Sequence, residues 1–93
     1  MNHIQFLRNT HDENGRPRTF PPEAERFWRE EAGWVGHLLR HELPLTLGEI
    51  TAECHCYLME YPEDGLYVEV DERYVAWCLV KLAEWGMVRV VGS

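Results

Sequence analysis

The stretch DERYVAWCLVKLAEWGMVRVV, residues 71–91, constrains the fold more than any other part of the sequence. Asp71 is a suitable N-cap, because its short carboxylate can accept hydrogen bonds from the free amides of a first helical turn. Apolar residues then recur at helical spacing, at Val75, Cys78, Leu79 and Leu82. Gly86 falls where the chain must leave the helix through a left-handed conformation, which costs glycine little. The stretch therefore predicts a helix, a glycine stop and a short strand of valines, with Met87 folding back onto Leu82.

A first helix is predicted over residues 22–41. A proline pair opens it, where a missing amide does no harm, and apolar residues continue on one face as far as Leu39. Gly33 and Gly36 weaken its middle by about 1 kcal/mol each relative to alanine. We therefore expect a bend at these glycines, or another helix packed closely against them.

A second helix is predicted over about residues 47–60. Thr46 and Glu49 form the pattern T-x-x-E of a capping box, in which each side chain accepts a hydrogen bond from the other residue's amide. Residues 66–70 then alternate in the manner of a short strand, which we expect to pair with residues 87–91 in a small antiparallel sheet. The predicted fold class is thus α+β, with three main helices and two strands.

The length of 93 residues fits one domain, with residues 1–20 as an N-terminal arm or loop and residues 21–93 as its core. Residues 2–8 fit either a short strand or a helical turn, and the polar residues 9–19 are typical of a loop. No apolar run approaches the ~18 residues of a membrane-spanning helix, and no signal peptide is recognisable, so a cytoplasmic location is expected. In that compartment the three cysteines are expected to be reduced thiols.

The negative charge lies in the second half of the chain. The net charge is −7; residues 1–41 carry six cations and six carboxylates, whereas residues 42–93 carry three and ten. Such a surface repels phosphate, whereas domains that bind nucleic acid usually show a basic stripe. The charge distribution therefore favours a protein partner.

The end of the third predicted helix resembles a known family. The pattern Leu79-x-x-Leu82-x-x-x-Gly86-Met87-Val88-x-Val90 is similar to the last helix and first wing strand of winged helix-turn-helix domains. The resemblance implies a winged-helix-like core whose third helix reads the DNA major groove. Within residues 1–93 the second wing strand is expected to be missing or to come from elsewhere. The third helix also offers Arg73 and Lys81 against two carboxylates, which is not the basic face of a groove reader.

A second stripe runs beside the apolar stripe of the third predicted helix, and consists of Tyr74, Trp77, Lys81 and Trp85. Two interpretations stay open. Its rings either widen the core by packing against the first helix, or form a partner surface, since Tyr and Trp are enriched in interface hot spots. A homodimer is the simplest such partner.

Two functions follow as hypotheses. The first is a small acidic regulatory or adaptor domain that binds another protein. In an extreme version its carboxylates imitate nucleic-acid phosphates, as a small bacterial or phage inhibitor could, with Glu49, Glu53, Glu60, Glu63, Asp64, Glu69 and Glu72. The second is a winged-helix DNA-binding regulator that acts as a dimer and gathers its cations on one surface, namely Arg16, Arg18, Arg26, Arg29, Arg73 and Lys81.

No metal site, cofactor or catalytic centre is predicted. His37 and His41 lie four residues apart and could share one ion on a helix face. The nearby thiols of Cys54 and Cys56, however, point about 200° apart around a helix, and C-x-C is not the usual zinc spacing. We expect Cys54 to be buried and Cys56 to lie nearer the surface. Glycine-rich phosphate loops and common hydrolase motifs are absent, so an enzyme is not expected.

Overall fold

A computed structural model of the chain describes residues 2–7, 11–41, 43–65 and 70–92. Within these residues a strand comes first, helices follow, and a second strand comes last. The elements are β1 (His3–Phe6), α1 (Pro22–Glu30), α2 (Trp34–Leu38), α3 (Leu47–Glu60), a 3-10 turn (Pro62–Gly65), α4 (Glu72–Glu84) and β2 (Val88–Val91). The predicted α+β class is confirmed.

Helix α4 begins and ends where its local signals predicted. The Oδ1 atom of Asp71 accepts a hydrogen bond from the amide of Tyr74 at 2.9 Å. At the other end Gly86 has a φ of +74°, a conformation that side chains with a Cβ rarely adopt. The Met87 amide then donates to the carbonyl of Leu82 at 2.9 Å, and the Met87 side chain is fully buried. The chain thereby turns back over the end of α4 and enters β2.

Helix α3 carries the predicted capping box. The hydroxyl of Thr46 accepts from the amide of Glu49 at 3.2 Å, and Oε1 of Glu49 accepts from the amide of Thr46 at 3.0 Å. Two amides that a helix start leaves unpaired are thereby satisfied. The helix covers Leu47–Glu60, as predicted.

The prediction of one helix over residues 22–41 is wrong. Helix α1 ends at Glu30, and α2 begins only at Trp34. The amides of residues 31 and 32 both donate to the carbonyl of Phe27, at 2.9 and 3.2 Å, which closes α1. The break allows Trp28 and Trp34 both to be buried, which a single straight helix with its one apolar face would not favour. Gly36 faces the Trp28 indole, which lies 3.7 Å from where a Cβ would stand, an ordinary van der Waals distance.

The two-stranded antiparallel sheet has a different first strand from the one predicted. Strand β2 pairs with β1, in a register that runs from His3 opposite Val91 to Phe6 opposite Val88. On the other side of β1, Ile4 exchanges two backbone hydrogen bonds with Leu45. Of the two possibilities left open for residues 2–8, a short strand or a helical turn, the structure shows the strand. The predicted strand over residues 66–70 falls mostly on residues 66–69, which lie outside the described residues.

The core lies between the helices and the inner side of the sheet. Helix α3 packs against α2 and α4, and α4 against β2. The largest fully buried side chains come from α2, α3 and α4 and from the α4–β2 turn: Val35, Leu38, Ile50, Cys54, Val75, Cys78, Leu82 and Met87. Among the described helices, none has the length and apolar character needed to cross a bilayer.

Candidate functional site

An aromatic cluster joins α1 to α4, with Phe27 at its centre. The ring centroid of Phe27 lies 5.9 Å from that of Trp77 and 5.4 Å from that of Trp85, and both pairs are tilted by nearly 60°. Tyr74 stacks on Trp77 at 6.4 Å. These distances are within the range of favourable aromatic contacts. The predicted stripe, called the aromatic face from here on (Tyr74, Trp77, Lys81 and Trp85), therefore does pack against the first helix.

The outer side of the aromatic face is open to solvent. Tyr74 and Trp85 are half-buried, whereas Trp77 is 49% exposed. The Nζ atom of Lys81 lies 5.8 Å from the Trp77 ring centroid, within the range of a cation–π contact. Val80, which is 60% exposed, follows Trp77 by three residues and is its neighbour on the helix surface. Helix α4 thus presents a large ring and a valine to solvent side by side.

An apolar groove adjoins Val80 on the side away from the aromatic face. It has a volume of about 310 Å³. Its walls come from α4, both strands and the start of α3: Asn2, Ile4, Leu47, Ala76, Leu79, Val80, Ala83, Val88 and Val90. Val90 is itself 61% exposed. The sequence did not indicate this groove, because it exists only where β1 is placed beside β2.

Three of the seven predicted carboxylates lie along one stripe of α3. Glu49, Glu53 and Glu60 are spaced so that the helical period brings them to the same side. Glu49 is held in the capping box, and the hydrogen bond from the Thr46 amide lowers the pKa of its carboxyl group. Glu53 pairs with His37 instead of projecting freely. Glu60, Glu63 and Glu72 are exposed, whereas the side chains of Asp64 and Glu69 lie outside the described residues.

The cations predicted for DNA binding lie on different elements: α4, the loop that precedes α1, and α1 itself. Arg73 and Lys81 lie one turn before and one turn after Trp77 on α4, so they flank it. Arg18 shares a hollow with Trp85 and Gly86, at the far end of the aromatic face. The remaining cations lie on the loop or on α1, with Arg29 3.8 Å from Glu25 on its own helix: Arg16, Arg26 and Arg29.

Two histidines and a glutamate meet between α2 and α3. The Nε2 atom of His37 lies 3.4 Å from Oε2 of Glu53, and the rings of His37 and His41 are 6.2 Å apart. One ligand atom from each of the three residues lies within 4.8 Å of the other two. The histidine pair was visible in the sequence by its spacing. Glu53 was not, because only the packing of α3 on α2 brings it there; the three residues are called the histidine cluster below.

The cysteines are arranged as predicted. All three are free; Cys54 and Cys78 are buried and Cys56 is exposed. Burial raises the pKa of Cys54 to about 12 and that of Cys78 to about 11, so both stay protonated at neutral pH. Neither is suited to be a nucleophile or a metal ligand, since both roles require the thiolate.

Comparison with known proteins yields no matching protein family, no matching curated protein and no matching solved structure. The resemblance of residues 79–90 to winged helix-turn-helix domains therefore stays a prediction. Function has to be inferred from the surfaces that the fold itself creates.

Proposed function

We propose that this chain is a small acidic binding domain that docks another protein on the aromatic face of α4. The observation that carries the proposal is the position of the Trp77 side chain. It is 49% exposed to solvent, and its ring packs against the ring of Phe27 at a centroid distance of 5.9 Å. A ring already held in place loses little conformational freedom on binding, and tryptophan is prominent among interface hot spots. Val80 beside it extends the apolar contact.

The cations on either side of Trp77 indicate the chemistry of the partner. Arg73 and Lys81 stand one turn away in each direction, on a chain whose overall charge is −7. A partner surface with an apolar pocket and a rim of carboxylates would match this arrangement in shape and charge. The phosphate-imitating version of the hypothesis has less support, because Glu49 is engaged in its capping box and Glu53 faces His37.

The test compares the wild-type chain with Trp77→Ala and with a matched control. Met59 on α3 is 84% exposed, against 49% for Trp77, so Met59→Ala removes a still more accessible apolar side chain from a different helix than that of the aromatic face. Proteins retained by the immobilised wild-type chain from a native lysate are identified, and the affinity of the leading one is measured with all three chains. Trp77→Ala should weaken binding by about 30-fold or more, the level of a hot spot, and Met59→Ala should not.

Two results would contradict the proposal. In one, Trp77→Ala binds the identified protein as tightly as the wild-type chain. In the other, the wild-type chain retains nucleic acid and shifts duplex DNA at about 50 mM salt, where binding to phosphates is strong. Loss of that shift in the double variant of Arg73 and Lys81 to glutamate would favour the DNA-binding hypothesis instead.

A further inference from the structure

We propose that the histidine cluster, His37, His41 and Glu53, is a binding site for one divalent transition-metal ion of the class of Zn²⁺. Its donor atoms come from two separate elements, α2 with the residues that follow it and α3. One donor atom from each of the three residues lies within 4.8 Å of the other two. This departs from the expectation drawn from the sequence, which noted the histidine pair but predicted no metal site, because the third ligand considered was a cysteine and not Glu53.

The donor spacing is close to what a tetrahedral ion requires. With metal–ligand distances of about 2.0–2.1 Å, neighbouring ligand atoms stand about 3.3 Å apart. The His37 Nε2 and Glu53 Oε2 atoms are already 3.4 Å apart. The widest separation in the cluster therefore has to close by at most about 1.5 Å, a distance that side-chain rotation can cover. His37 is exposed, so its side chain has room to rotate on the solvent side, whereas His41 and Glu53 are half-buried.

The backbone places these side chains together. Helix α2 ends at Leu38, yet the His41 amide still donates to the Leu38 carbonyl at 3.0 Å, which continues the turn and keeps His41 one turn beyond His37. On α3, Glu53 precedes Cys54, which is fully buried, so the position of the Glu53 backbone is fixed by the core. The cluster thus lies on the packed seam between α2 and α3.

The chemistry of the donors favours a transition metal over calcium or magnesium. Two imidazole nitrogens and one carboxylate oxygen suit Zn²⁺, Ni²⁺ or Cu²⁺, whereas Ca²⁺ and Mg²⁺ take oxygen ligands almost throughout. Three protein ligands leave a position open for water, as in many zinc sites that are not purely structural. Because the ion would bridge two packed helices only in the folded chain, binding should also raise the unfolding temperature.

A hollow beside His37 offers an alternative set of metal ligands that competes with the histidine cluster. Cys56, Glu60 and Arg40 line it together with His37. Cys56 is exposed and lies three residues after Glu53, on the same side of α3. A thiolate there could replace Glu53 as the third ligand, while the Arg40 guanidinium disfavours a cation further into the hollow. The experiment has to separate the two donor sets.

The test is titration of the reduced, tag-free chain with Zn²⁺ by calorimetry, with thermal unfolding followed in parallel. The expected result is one ion per chain with a micromolar Kd, a rise in unfolding temperature, and no response to Ca²⁺. Glu53→Gln and His41→Ala should each weaken binding tenfold or more, whereas His55→Ala and Cys56→Ser should not change it. His55→Ala is the matched control, since His55 is an exposed histidine on α3 outside the cluster.

The spectrum of the Co²⁺ form gives a second measurement, which reports directly on the donor atoms that bind the ion. Coordination by nitrogen and oxygen should show ligand-field bands without a thiolate charge-transfer band. The proposal would be overturned if Zn²⁺ does not bind at millimolar concentration, if Glu53→Gln and His41→Ala bind as the wild-type chain does, or if the charge-transfer band appears and is lost in Cys56→Ser.

Discussion

The hydroxyl of Tyr74 donates a hydrogen bond to the carbonyl oxygen of Glu31 at 3.0 Å, and thereby ties α4 to the break between α1 and α2. Glu31 is the C-cap of α1, where backbone carbonyls have lost their helical partners. The phenol satisfies one of them, and burial of its ring raises the pKa of Tyr74. One member of the aromatic face is therefore a structural residue on its inner side, whereas Trp77 keeps about half of its surface exposed to solvent.

We expect Tyr74→Phe to lower the free energy of unfolding by about 1 kcal/mol, because the Glu31 carbonyl loses its hydrogen bond while the ring contacts stay. Urea unfolding followed by circular dichroism measures the change. Tyr61→Phe is the control, since Tyr61 is half exposed at the end of α3. Equal midpoints for Tyr74→Phe and the wild-type chain would show that the hydrogen bond contributes nothing net.

The turn at Gly86 is expected to tolerate no Cβ without strain. Gly86→Ala should destabilise the fold by about 1–2 kcal/mol, since its φ of +74° is unfavourable for an L residue. An added Cβ meets nothing within 4 Å there, so the cost is conformational and not a clash. Gly92→Ala, also in open space but without a positive φ, should be close to neutral in the same urea measurement. A neutral effect of Gly86→Ala would contradict this account of the turn.

The capping box of α3 should make stability depend on pH in the acid range. The pKa of Glu49 is lowered in the fold from its ordinary 4.5 by the hydrogen bond from the Thr46 amide. Its contribution is therefore present above pH 4.5 and is lost as the pH falls through the lowered value. Glu49→Gln should lower the urea midpoint near neutral pH, and the difference from the wild-type chain should shrink in acid. Equal midpoints for Glu49→Gln and the wild-type chain near neutral pH would contradict this account of the capping box.

The buried thiols should make the fold less stable at alkaline pH. The pKa values of Cys54 and Cys78 rise from 9.0 to about 12 and about 11, so the unfolded chain loses these protons first. Their contribution is fully present below pH 9.0 and is lost as the pH rises towards those values. Under reducing conditions the urea midpoint should fall across this range. The urea midpoint of Cys78→Ala should fall less steeply with pH, because one of the two thiols with a raised pKa is removed.

Features set by neighbours in sequence could be predicted. The caps at Asp71 and Thr46 and the exit at Gly86 depend on side chains and backbone within a few residues of each other, and each was found where expected. The apolar stripe of α4 likewise follows from helical spacing alone. Both ends of α3 agree with the prediction for the same reason.

Features that depend on residues far apart in the sequence could not be predicted. The apolar pattern of residues 22–41 continues through the break after Glu30, because α1 and α2 both bury side chains in the same core. The pairing of β1 with β2 and the meeting of Glu53 with His37 join segments whose approach depends on the whole packing. The same limit applies to the candidate sites. The aromatic face lies on one helix and could be predicted from the sequence, whereas the apolar groove and the third member of the histidine cluster could not.

The pairing of β1 with β2 has a consequence for how the chain folds. The side chain of Arg89 donates to that of Gln5 at 3.0 Å across a separation of 84 residues. Closing so long a loop costs entropy before its contacts repay it, whereas the helices form from local contacts. The sheet is therefore expected to form last, after the helices have brought its two strands within reach. The hydrogen bonds between β1 and β2 then join the two strands on a helical core that is already assembled.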